Sequence, residues 1–176
     1  SVVTQLRNGH NVITSTLKRK EDLIKTYANA KSNCITLGAL GAKVEFQVDA
    51  TNMDKNMGLL SIFRYRSPDV IVFNLPYVSP HLPPTHPGHR ELIRQFLKSA
   101  RRMKGFRGRV HITQRTDRWE VDQLRVPEIA RDEGFELKQT VPVDDEKLKW
   151  LFPGYESKYG GGYYPDKYLP VLQANI

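Results

Sequence analysis

Cysteine is almost absent. Cys34 is the single thiol in 176 residues, which excludes an intrachain disulfide and a zinc cluster of paired thiolates. Long apolar runs are lacking as well. No stretch approaches the roughly twenty residues needed to cross a bilayer, and the residues from Ser1 onward carry no signal-peptide pattern. An intracellular, reducing setting is therefore expected. Acidic residues are in deficit: Asp and Glu number 19 against 27 Lys and Arg, a formal net charge of +8. Such an excess favours polyanionic partners, nucleic acid first, although a basic protein without such a partner has the same composition. Internal repeats and low-complexity linkers are also missing. With 39% hydrophobic residues to build a core, residues 1–176 are read as one domain.

The chain is organised around Val70-Ile71-Val72-Phe73-Asn74-Leu75-Pro76-Tyr77. Four apolar residues in a row suit a strand buried on both faces, as in a parallel sheet covered by helices. Pro76 lacks a ladder donor, so the strand should end near Asn74. That leaves an amide and an aromatic ring at a carboxyl strand edge, where open α/β sheets bind ligands. Asn74 can hydrogen-bond a planar base, and Tyr77 can stack on one. An ordinary proline turn explains the same residues.

Helix and strand alternate on either side. Val2, Val3 and Leu6 have helical spacing before Gly9. Asn11–Leu17 is β-branched and alternating, hence a strand. Residues 20–40 read as helix with Leu23, Ile24, Tyr27, Ile35, Leu37 and Leu40 on one face, broken near Ser32 or Gly38 and closed by Gly41. Lys43–Thr51 alternates as a strand and brings Asp49 to its tip. A short helix is expected over Met57–Phe63. Residues 78–88, rich in proline, read as loop, and helix resumes from His89 to about Lys104. Arg109–Thr113 is a further strand, Trp119–Asp132 a helix kinked or restarted at Pro127, and Gly134–Leu137 the start of a strand toward Val143. This succession specifies an α/β fold with a mostly parallel sheet containing residues 11–17, 44–49, 70–74 and 109–113. Asp49 and Asn74 are expected at the same edge.

The order N-V-I-T-S-T-L at Asn11–Leu17, V-E-F-Q-V-D-A-T at Val44–Thr51, F-N-L-P-Y at Phe73–Tyr77 and F-P-G-Y at Phe152–Tyr155 resembles the ribosomal RNA uridine-N3-methyltransferase-like family. Trp119 and Gly134-Phe135-Glu136-Leu137 fit the same order, so the resemblance covers nearly the whole chain. It implies a Rossmann-like class I methyltransferase sheet with helices on both faces, S-adenosylmethionine as cofactor, and a uridine of large-subunit ribosomal RNA as substrate. It also implies rRNA processing in the nucleolus or nucleus, with a cytoplasmic setting open as well. By the same resemblance Thr16, Asp49, Ala50 and Asn74 bind cofactor, while Asn74, Pro76 and Tyr77 form the transfer site.

Two departures accompany it. Tyr77 stands where the family usually has histidine, and N-x-P-Y is also similar to the motif of amino-group methyltransferases. The family's glycine-rich segment, with its first strand, is missing ahead of Asn11. Gly38 with Gly41, and Gly160–Gly162, do not follow a strand and open a helix, so they do not replace it. The chain is thus expected to hold S-adenosylmethionine weakly or not at all, either as a partial product of an active enzyme or as a natural protein without the cofactor. In the sheet, that absence costs two ladders or forces Asn11–Leu17 to pair with Val70–Phe73. A catalytically silent RNA-binding or scaffold protein is the alternative function.

Among the other constellations, His81, His86 and His89 lack the carboxylate or cysteine that would complete a metal site, so no metal is assigned. Arg101, Arg102, Lys104 and Arg107 end the long helix with positive charge. Cations there suit the helix dipole, and they also suit RNA phosphates. Trp119, Trp150 and the Tyr155–Tyr164 cluster read as core, lid or edge packing.

Overall fold

The computed structural model describes residues 9–63, 67–74, 76, 78, 86–115, 124–143 and 167–174. Its elements are β1 Ile13–Thr16, α1 Lys20–Thr26, α2 Ala30–Ala39, β2 Lys43–Phe46, a 3-10 helix Ala50–Lys55, α3 Met57–Phe63, β3 Val70–Asn74, α4 Pro87–Arg102, β4 Arg109–Arg115, α5 Val126–Asp132, β5 Phe135–Val143 and β6 Lys167–Ala174. β1 and β2 form a parallel pair. The other four strands form a sheet ordered β3-β4-β6-β5, parallel between β3 and β4 and antiparallel on both sides of β6.

The two parallel ladders use the strands expected, but one continuous sheet does not form among the described residues. β1 pairs with β2 alone and β3 with β4 alone, so of the two outcomes foreseen for these strands, direct pairing is not adopted. Ile13 nevertheless packs on the main core, which ties β1 to the rest of the fold.

That core is the buried stripe of α4. Ile93, Phe96, Leu97 and Ala100 recur at helical spacing and are inaccessible or nearly so. They meet Val110 and Ile112 of β4 and the partly buried Ile71 and Phe73 of β3. The rings of Phe73 and Phe96 lie 4.5 Å apart, centroid to centroid. Val126, Ile129 and Ala130 of α5 close the same side. Truncating a core phenylalanine such as Phe96 to alanine costs about 3–5 kcal/mol.

The organising strand differs from expectation in one respect. Val70 and Val72, which alternate with Ile71 and Phe73, are 44% and 54% exposed. The described helices that pack on β3 and β4 cover a single face, so β3 is half-buried and not sandwiched. It does end at Asn74, and Pro76 is buried just beyond it.

Several boundaries move for local reasons. The helix over residues 20–40 is two helices, because Tyr27 turns to extended backbone and ends the first. α2 lies against β2 outside the main core, and Ile35 is 64% exposed. The strand after Gly41 stops at Phe46, since Gln47 has φ +57° and breaks the ladder. α4 begins two residues early: Pro87 occupies the first turn, where its missing N–H is no loss, and His86 Nδ1 accepts from the Gly88 amide at 3.1 Å. α5 carries Pro127 in its first turn, which matches a restart there; residues 116–123 lie outside the described set. Gly41 and Gly134 both have positive φ after helices, as C-terminal stops require. β6 was not foreseen, since Pro170 lies within it, paired with Thr140.

Candidate functional site

The site grows from two strand ends. At the first, the Thr16 carbonyl accepts from the Val48 amide at 2.9 Å, so the tip of β1 is joined to the residue before Asp49. Thr16 Oγ1 accepts from the Lys18 amide. Asp49 caps the 3-10 helix: its Oδ1 accepts from the Thr51 amide at 2.8 Å and the Thr51 hydroxyl at 2.7 Å, and its Oδ2 from Asn52 Nδ2 at 3.1 Å. Partial burial pushes the Asp49 carboxyl up, but the bonds from Thr51 and Asn52 outweigh it and hold it below the usual carboxylate range. Ala50 follows, packed on the core. Thr16, Asp49 and Ala50 thus form one cluster.

The 3-10 helix is anchored from below. Ser99, fully buried on α4, accepts from the Met53 amide at 2.8 Å and donates to Asp54 Oδ1 at 3.0 Å. Arg102 completes the anchor, with Nε 2.9 Å from Asp54 Oδ2 and Nη2 3.4 Å from Oδ1. The Asp54 side chain is only 9% exposed. Its carboxyl is held below the usual range, chiefly by Arg102. Sequence reasoning missed this link between α4 and the Asp49 loop, because Ser99 and Asp54 lie 45 positions apart with no local signature.

At the second strand end, Asn74 is exposed at the tip of β3, in register with Thr113 of β4. The Thr113 hydroxyl donates to Asn74 Oδ1 at 2.7 Å. Pro76 is buried beside it, while Tyr77 lies outside the described residues. Along the same strands Val72 is opposite His111. His111 Nε2 is buried with no hydrogen-bond partner among the described residues, and desolvation, helped by Arg109, pulls its pKa down.

The basic helix end divides. Arg102 is committed to Asp54, and Arg101 Nη1 donates to the Glu133 carbonyl at 2.8 Å. Gly134 makes room for that contact, since a side chain there would collide with the guanidinium. Lys104 and Arg107 are exposed with no such commitment among the described residues. His86 and His89 use Nδ1 to accept from Gly88 and Val78 amides. Their rings stand 5.9 Å apart, and no cluster able to hold a metal occurs among the described residues. His81 lies outside them, as do Trp119, Trp150 and the glycine-tyrosine segment. No described helix is long and apolar enough to cross a membrane.

Parallel strands returning through helices, with polar side chains at their carboxyl ends, define a class I methyltransferase-like α/β domain. Solved structures agree. TrmN from Thermus thermophilus superposes with a TM-score of 0.52 at 16% identity, over 93% of this chain and 36% of that one. A 30S ribosomal A1408 methyltransferase from an uncultured bacterium gives 0.51 at 12% identity, over 99% and 92%. At such identities the likeness concerns the fold alone.

The family model described as BMT5-like, rRNA (uridine-N3-)-methyltransferase BTM5-like, matches residues 1–159, and the chain belongs to this family. Two Arabidopsis thaliana proteins resemble it over 92% of its length. Heavy metal-associated isoprenylated plant protein 41 is 30% identical, and this chain spans 30% of its length. Uncharacterized protein At4g26485 is 29% identical, with 76% of its length spanned.

S-adenosylmethionine is the cofactor that the family implies. Exposed and ionised, the Asp49 carboxylate stands next to Ala50, with Val48 tied to Thr16 at the end of β1, and is chemically suited to accept from a hydroxyl or amine of an adenosine.

Proposed function

We propose that this chain is the methyltransferase domain of a protein that methylates N3 of a uridine in large-subunit ribosomal RNA. The match of residues 1–159 to the family carries this reading, and the two strand-end clusters support it. When bound, S-adenosylmethionine supplies an electrophilic methyl group. Thr16, Asp49 and Ala50 hold its adenosine half. Asn74 and Pro76 line the place where the base edge meets the methyl donor, and Tyr77 stacks on the base. The protein's part in catalysis is chiefly positioning.

RNA is drawn in by the net positive charge. The phosphate contacts fall to Lys104 and Arg107, because Arg101 and Arg102 serve the fold first. A ribosomal RNA substrate suits a nucleolar or nuclear setting.

The test joins this chain to the family's glycine-rich segment and incubates it with labelled S-adenosylmethionine and large-subunit rRNA fragments, followed by digestion and mass spectrometry. The expected product is 3-methyluridine, lost on Asn74→Ala replacement while RNA affinity falls by no more than about fivefold, the worth of one net hydrogen bond. RNA retention with no methyl incorporation under any condition would favour a binding or scaffold protein of the same fold.

A further inference from the structure

The motif N-x-P-Y is compatible with two opposite uses of asparagine. An amine substrate needs the carboxamide oxygen turned toward it as an acceptor. An imide such as uracil needs the nitrogen turned toward its carbonyl as a donor. The contact between Asn74 and Thr113 separates them. We propose that Thr113 is a positioning residue that locks the Asn74 carboxamide with Nδ2 outward, so that the tip of β3 selects a base with a carbonyl edge over one with an amine edge. This deepens the proposed function and rests on it.

The geometry is direct. Val70–Asn74 and Arg109–Thr113 run in parallel register, and the last pair is Asn74 with Thr113. The Thr113 hydroxyl oxygen and Asn74 Oδ1 lie 2.7 Å apart, the ordinary separation for O–H···O. The hydroxyl therefore donates and the carboxamide oxygen accepts. With Oδ1 taken up by Thr113 on β4, Nδ2 is the amide atom left to a ligand. No described residue bonds to Nδ2. A donor held at the oxygen also polarises the amide and strengthens its N–H groups. Uracil O4 accepts from such a donor. The exocyclic amine of cytosine, at the same ring position, presents hydrogens against it.

The test uses the whole chain labelled with nitrogen-15, titrated with oligouridylate and oligocytidylate of equal length. These share a phosphate backbone and differ at the base edge. The side-chain amide signals of Asn74, assigned by their loss in Asn74→Asp, report contact. In the parent chain oligouridylate should move them and bind about fivefold more tightly than oligocytidylate, the worth of one net hydrogen bond. Thr113→Val keeps the shape of the side chain and removes the hydroxyl, so the preference should vanish. Thr113→Ser should restore it. Preference retained in Thr113→Val, or lost equally in Thr113→Ser, would overturn the assignment. Equal displacement of the Asn74 signals by both oligonucleotides in the parent would refute the selection while leaving base contact intact. No displacement by either would remove the functional reading and this inference together.

Discussion

Ser99→Ala is the smallest change that should reach the Asp49 loop from outside it. The hydroxyl is fully buried and the Met53 amide donates to it at 2.8 Å. Alanine leaves that amide with no partner in a place water does not reach. A buried unsatisfied donor costs about 1–3 kcal/mol. Asp54 loses its 3.0 Å bond from Ser99 but keeps both contacts to Arg102, so its share is small. Taking roughly 2 kcal/mol, and about 2–4 °C per kcal/mol for a domain of this size, the melting temperature should fall by roughly 4–8 °C. Circular dichroism on heating measures this, and urea titration checks it: the midpoint should drop with an unchanged slope. Asp54→Asn removes the other half of the anchor. The double variant should be less destabilised than the sum of the singles, by at least ~0.5 kcal/mol, because the two side chains share one bond. A melting temperature within about 1 °C of the parent would refute the reasoning, since it would mean that the Met53 amide never depended on Ser99.

Other outcomes follow from the same geometry. Asp49→Ala removes the cap of the 3-10 helix and should cost ~1 kcal/mol, read by urea denaturation; Asp49→Asn should recover most of that loss. Replacing Lys104 and Arg107 with alanine should lower the slope of log affinity against log salt by about 0.7 per contact on single-stranded RNA with no change in melting temperature. Replacing Arg101 and Arg102 should lower the melting temperature, because each holds a neighbouring element in place. His111 rejects a proton in the folded state that it accepts when unfolded, because burial depresses its pKa. Its contribution to stability is therefore present above the ordinary imidazole pKa of about 6.5 and is lost as pH falls below it. His111→Gln should flatten that acid-side decline in a pH series of urea midpoints.

The strands were legible because their signals are local. Val70–Phe73 is a continuous apolar run followed by Asn74 and Pro76, and the strand ends at Asn74, where that proline requires. Asn74 ends β3 as chain order suggested, whereas Asp49 lies beyond the end of β2 and caps the 3-10 helix. Ser99, Asp54 and Thr113 were not legible, because each matters through a partner tens of residues away. Arg101 and Arg102 looked like a free basic patch, since nothing local marks Glu133 and Asp54 as their partners. The half-exposure of Val70 and Val72 was equally hidden: an apolar run states a preference for burial and says nothing about how many layers the rest of the chain supplies.

The place of β6 has a consequence for how the molecule is made. It is the last of the described strands, yet it lies between β4 and β5 and carries a ladder on each side. On a ribosome β4 emerges well before its second neighbour exists. Roughly sixty residues separate the end of β4 from the end of β6, several seconds of elongation at ~5–20 residues per second. During that interval β4 can hold β3 and the stripe of α4, but its far edge and the inner edge of β5 wait for a strand not yet synthesised. A nascent chain stalled before Lys167 should therefore display protease-sensitive β4 and β5 beside an already protected α4.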